Sequence, residues 1–232
     1  AAKLRIQEGD FPRATPFLQR ALSSQQKTLP PENPELTKTL DTLGNVYRNM
    51  RQFNKAEPLL QQAFRNVEKV HGPEHPETAN ALDKLGENYL ATGQTAKAAP
   101  LLEHALKVRE KALPPDHPDV AASLKNLAAA HVAKGEYAKA KPLLERALKI
   151  SETALGPDDP KLARSLDALG EISRALGDPE KAEPLLQRAL SMKERILPPD
   201  DPSMAPTLKS LAALHAAKGD FAKAEPLYQR AL

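Results

Sequence analysis

The chain has 232 residues, 41% apolar and 27% charged, with nine aromatics and no cysteine, so disulfides, thiolate metal sites and a cysteine nucleophile are excluded. Lys plus Arg number 33 against 30 for Asp plus Glu, and a formal charge of +3 over this length is no nucleic-acid footprint. No apolar run approaches the ~20 residues of a membrane helix, and the opening AAKLRIQEGD lacks a signal peptide's apolar core.

In chain order, the same sentence returns six times. Its central alanine falls at Ala14, Ala56, Ala98, Ala140, Ala182 and Ala224, a constant step of 42 residues, and a second alanine follows seven later, from Ala21 to Ala231. A pair of leucines precedes it: Leu40 and Leu43, Leu82 and Leu85, Leu124 and Leu127, Leu166 and Leu169, Leu208 and Leu211. A fixed period of this size means stacked repeats. The first complete repeat sets the pattern for the rest. Leu40, Leu43, Val46 and Tyr47 have helical spacing, and so do Ala56, Leu59, Leu60, Ala63 and Phe64, whereas the period-2 alternation of propeller blades is absent. The spacing predicts a first helix from Pro34 to about Met50 and a second helix to near Val70.

Punctuation agrees. LPPENP, HGPEHP, LPPDHP, LGPDDP and LPPDDP join the repeats. Asn33, His75, His117, Asp159 and Asp201 stand at N-cap positions, each before a proline suited to the first helical position. That role, rather than metal binding, accounts for His75 and His117. A turn glycine recurs at Gly9, Gly93, Gly135, Gly177 and Gly219, with Arg51 in its place once. Pro16, Pro58, Pro100, Pro142, Pro184 and Pro226 fall inside the second helical pattern. An interior proline costs about 3 kcal/mol, so regular second helices are expected to begin just before them, a local bend being the alternative.

The spacing of Leu43, Gly44, Tyr47, Ala56, Leu60 and Ala63 resembles the tetratricopeptide repeat, lengthened from that family's 34 residues to 42. GEYAKAKPLLERAL at residues 135–148, with Leu113 and His117–Ala121, is similar to the repeats of kinesin light chains, with Lys139 in place of that pattern's Glu and Pro114 in place of its Gly. The resemblance implies an all-α, right-handed superhelical solenoid of antiparallel helix pairs, a single domain over 1–232 with about five and a half repeats. The asparagine pair of kinesin light chains is approached only at Lys125–Asn126. The carboxylate clamp of chaperone-binding repeats is not assembled.

By that family's geometry, first helices line a concave groove. Repeat two would contribute Lys38, Asp41, Asn45, Arg48 and Asn49; repeat three Asn80, Asp83, Lys84, Glu87 and Leu90; repeat four Lys125, Asn126, Ala129, Val132 and Ala133. Repeat five would add Arg164, Asp167, Glu171 and Arg174, and repeat six Pro206 and Lys209. The asparagines can pair with peptide amides, and Arg48, Lys84, Lys125 and Arg174 can hold carboxylates. The alanines of repeat four leave room for an apolar side chain. The expected guest is an extended protein or peptide segment, acidic around one bulky apolar residue. No catalytic, metal-binding or cofactor-binding constellation is written in the chain, and neither a nucleic acid nor a membrane is an expected partner. The rival reading is self-assembly into dimers or head-to-tail oligomers through the end repeats, the chain reading as an excised piece. No compartment is assigned; the cytoplasm is the favoured reading.

Overall fold

The computed structural model describes residues 2–232. It is all-α, and the described residues fall into two compact units, one ending at Pro115 and the other Asp116–Leu232. The first holds α1 (Ala2–Gln7), α2 (Phe11–Thr28), α3 (Pro34–Asn49), α4 (Phe53–His71), α5 (Pro76–Ala91) and α6 (Thr95–Ala112). The second holds α7 (Pro118–Ala133), α8 (Tyr137–Leu155), α9 (Ala163–Ala175), α10 (Pro179–Glu194), α11 (Ala205–Ala217) and α12 (Phe221–Arg230). Short 3-10 turns, Pro160–Leu162 and Pro202–Met204, lead into α9 and α11. Within each unit, antiparallel pairs of first and second helices stack on the next pair.

Each boundary has a local cause. Asn33 accepts the N–H of Glu35, His75 that of Glu77, His117 that of Asp119, Asp159 that of Lys161 and Asp201 that of Ser203. Both histidines therefore cap helices through Nδ1. First helices end in a turn at φ +73 to +77°, held by glycine at five of six copies; Arg51 adopts φ +57° at the sixth. A left-handed conformation costs a residue with a Cβ roughly 1 kcal/mol or more.

Alanines set how near the paired helices come. Ala56, Ala98, Ala140 and Ala182 are fully buried, as are Ala105, Ala147 and Ala189. At Gly44, Gly86 and Gly170 a Cβ would lie 2.8, 2.6 and 2.6 Å from the nearest atom of Leu60, Leu102 and Leu186, so only glycine admits those leucines as they sit. Ala128 and Ala212 stand at the same register in repeats four and six.

The prolines correct the sequence expectation. Second helices begin five residues before each one: Phe11 before Pro16, Phe53 before Pro58, Tyr137 before Pro142. Proline lies in the second turn and forfeits the bond to the carbonyl four residues back. Tertiary packing overrides propensity here, because the buried alanine two positions before each proline must already be helical to meet its partner. The cost is tempered because the prolines, and the residues owning the freed carbonyls, face solvent. Among the described residues no helix is long and apolar enough to cross a membrane.

Candidate functional site

The first helices of each unit carry a hollow, and the two hollows are built differently. In the first unit the hollow is about 260 Å³, lined by Lys38, Asp41, Asn80 and Lys84 with Val67, Val70 and His71 of α4. Two cations in and beside it meet carboxylates, while Lys38 makes no ion pair among the described residues. Lys84 Nζ on α5 donates to both oxygens of Asp41 on α3 at 2.8 and 2.7 Å. Arg48 on α3 pairs with Glu87 on α5 and also donates to Asn45 Oδ1 at 3.3 Å. Asn45 donates to Asp41 at 3.4 Å, and Asn49 to the Asn45 carbonyl at 3.0 Å. Arg48 and Lys84, expected to receive a guest's carboxylates, thus have internal ones.

Asp83 departs further from expectation. It is 5% exposed, not on an open wall, and pairs with the equally buried Arg109 of α6. Arg109 also donates to Asn80 Oδ1 at 2.5 Å. The first helix supplies the anion and the second helix reaches through with the cation.

The same register in the second unit is occupied otherwise. Arg109 has Val67, Ser151 and Lys193 as equivalents at steps of 42, and Asp83 has Asp41, Lys125 and Asp167. Lys193 of α10 repeats the arrangement, donating to Asp167 Oδ2 at 2.5 Å and to Thr207 Oγ1 at 2.7 Å. Thr207 in turn donates to Asp167 Oδ1 at 2.8 Å. In repeat four the helix-two residue is Ser151, whose hydroxyl turns back to the Ala147 carbonyl at 2.8 Å. Lys125, at the register of Asp83, is exposed.

A hollow of about 1000 Å³ follows, lined by Lys125, Ala129, Val132, Ala133 and Leu144 on one side. Lys161, Arg164, Asp167, Ala168, Lys193 and Pro206 line the other. Among the described residues Lys125, Lys161 and Arg164 make no ion pair. Its lining combines small apolar residues with exposed cations. Lys209 is exposed on α11 but does not line the hollow. Asn126 lies half-buried on α7 beside Lys125. A smaller hollow of about 270 Å³ shares Val132 and Ala168 and adds Tyr137, Glu171, Ile172, Arg174 and Ala175. Arg174 Nη2 donates to Glu171 Oε2 at 2.9 Å.

Sequence reasoning followed first helices only, and so missed Lys161, Lys193 and Leu144. The signal for Lys193 was present: it keeps register with Arg109 as Asp167 does with Asp83. Near the hollow's turn edge His131 Nδ1 lies 2.7 Å from Glu136 Oε2. Hydrogen bonds from Lys139 first and His131 second pull the Glu136 carboxyl down to about 2.

A family model described as tetratricopeptide repeat matches residues 35–111, 100–153, 119–195 and 172–232. A solved Podosopora anserina protein, described as a kinesin light chain of nearly identical TPR-like repeats, is similar at 28% identity and TM-score 0.73, over 86% of this chain and 95% of that one. BtubC (BKLC) of P. vanneervenii shares the fold at 23% identity and TM-score 0.74, over 100% of this chain and 89% of that one. A Rap protein complexed with Competence and Sporulation Factor shares it at 21% identity and TM-score 0.69, over 92% of this chain and 56% of that one. No curated protein matches the chain.

Proposed function

Since this chain belongs to the tetratricopeptide repeat family, we propose that it is a non-enzymatic docking protein whose second unit holds an extended segment of a partner against α7, α9 and α11. One observation carries the reading: a hollow of about 1000 Å³, lined by Ala129, Ala133 and Ala168, whose cations Lys125, Lys161 and Arg164 make no ion pair among the described residues. Small floor residues accept a bulky apolar side chain. Unpaired cations around it favour acidic neighbours on the guest, by charge complementarity more than by raw affinity. The first unit contributes less, because two of its cations already meet carboxylates, as Asp41–Lys84 and Arg48–Glu87, which leaves Lys38 alone to face a guest.

Fluorescence anisotropy with a labelled acidic peptide bearing one phenylalanine tests this. Lys125→Glu with Arg164→Glu is expected to weaken binding more than ten-fold, since charge-assisted bonds contribute about 1.5–3 kcal/mol each. Arg48→Ala is expected to change it less than two-fold. Equal losses from both variants would defeat the assignment.

A second reading, assembly of copies through α12, is favoured by one feature. Tyr228 is 42% and Phe221 69% exposed, whereas Leu186, at the register of Tyr228, is fully buried. Light scattering over a concentration series, on the wild type and on Phe221→Ser with Tyr228→Ser, tests it; a mass that stays monomeric throughout removes it.

A further inference from the structure

Asp167, Lys193 and Thr207 form a closed network in the second unit. Thr207 Oγ1 on α11 donates to Asp167 Oδ1 at 2.8 Å, while Lys193 Nζ donates to Asp167 Oδ2 at 2.5 Å. A hydroxyl on one first helix thus holds a carboxylate of the first helix before it. One repeat earlier, at steps of 42, the three places carry Lys125, Ser151 and Ser165. The hydroxyl is kept at Ser165, but the carboxylate has become the Lys125 ammonium. The third place, Ser151, turns its own hydroxyl back to the Ala147 carbonyl. The donor remains and its internal acceptor does not.

Ser165 is only 7% exposed, and its hydroxyl makes no hydrogen bond among the described residues. A buried polar group without a partner is uncommon and asks for an explanation. Turning back to the chain is one option at this register, taken by Thr39, which donates to the Glu35 carbonyl at 3.0 Å. Ser165 does not take it. Nor is its oxygen sealed: Ser173 Oγ, on the same helix, is closed off from solvent, whereas Ser165 lines the hollow of about 1000 Å³ with its oxygen open. Lys125 lines the same hollow.

The two donors differ in what they ask for. An ammonium attracts any anion, but a hydroxyl held in a wall needs an acceptor at one place. An amide oxygen would answer the hydroxyl and leave the charge unmet, and a cation would meet repulsion from Lys125. A carboxylate has one oxygen for each, as Asp167 has for Thr207 and Lys193. Resting on the docking reading above, we infer that the guest sets an aspartate or glutamate side chain between Ser165 and Lys125. One carboxylate oxygen accepts from Ser165 Oγ and the other from Lys125 Nζ. The guest thereby supplies from outside the group that Asp167 supplies from inside one repeat further on. Ser165 is the residue that tells a carboxylate from its amide.

The probes are labelled, end-capped peptides Gly-Asp-Phe-Asp-Gly and Gly-Asn-Phe-Asn-Gly, titrated by anisotropy against the wild type and Ser165→Ala. Alanine is tolerated at this register, where repeat three carries Ala81, and an unchanged urea midpoint reports that the variant is folded. The wild type is expected to prefer the Asp peptide. Ser165→Ala is expected to weaken that peptide about ten-fold and to change the Asn peptide less than two-fold. Undiminished binding of the Asp peptide by Ser165→Ala, with sensitivity to Lys125→Glu intact, overturns this inference and leaves the docking reading standing. Equal weakening of both peptides overturns it too, because the hydroxyl would then act through packing alone. Failure of the wild type to bind either peptide sinks the docking reading, and this inference with it.

Discussion

The first unit's hollow is closed on itself and the second unit's is not, although both are made from copies of one sentence. In the first, every charge at the central register has an internal answer: Asp41 has Lys84, and Asp83 has Arg109. In the second, Asp167 has Lys193, but Lys125, with Ser151 at the register of Arg109, is exposed and makes no ion pair among the described residues. The difference lies in the second helix as much as in the first. A repeat protein can therefore turn a structural ion pair into an exposed charge by changing two residues in register, one on each helix of the pair.

The largest expected effect comes from breaking the buried pair. Arg109→Ala strands Asp83 without its guanidinium, and removing one partner of such a pair costs about 3–5 kcal/mol, readable by urea denaturation. Lys84→Ala, beside the half-exposed Asp41, is expected to cost under ~1 kcal/mol by the same measurement. Comparable losses for the two variants would erase the distinction drawn between them.

Converting the second unit into the first sharpens the comparison. Lys125→Asp with Ser151→Arg writes the Asp83–Arg109 pair into repeat four. Affinity for acidic peptides should fall about ten-fold or more while the denaturation midpoint holds. A variant that still binds would show that Lys125 is not part of the reading surface. A smaller effect belongs to the turn: Arg51→Gly relieves the only positive-φ non-glycine among the described residues and should stabilise by ~0.5–1 kcal/mol in the same denaturation assay.

The smallest effect is a titration. Glu136 falls from an ordinary 4.5 to about 2 through Lys139 and His131. Its folded value lies below its unfolded one, so its contribution to stability is fully present above 4.5 and fades as pH drops toward 2. An NMR titration of the side-chain carboxyl should show a midpoint near 2, and Lys139→Ala should move it upward. An unmoved midpoint would remove Lys139 as the main cause.

Periodicity made most of the fold legible. A first helix expected to end near Met50 ends at Asn49, and a second expected to reach Val70 ends at His71. Caps were readable because side-chain oxygens and imidazoles before proline have one local use. The prolines were misread because helix propensity is a local quantity, while alanine burial across the pair decides where the helix starts. The site was half legible. Residues such as Lys125 and Arg164 follow from spacing along one helix. Whether a charge is spent internally depends on a partner about 26 residues away on another helix, as with Arg109 and Asp83.

The second-turn prolines have an effect outside the native state. Six near-copies of one apolar phrase in a single polypeptide could zip together, segment on segment, whenever the chain opens. Proline cannot donate to a growing ladder of strands and so interrupts such pairing, and here one sits within every copy, facing outward in the finished molecule. The residue that weakens each helix by a hydrogen bond thus works as a guard against tangling between look-alike neighbours.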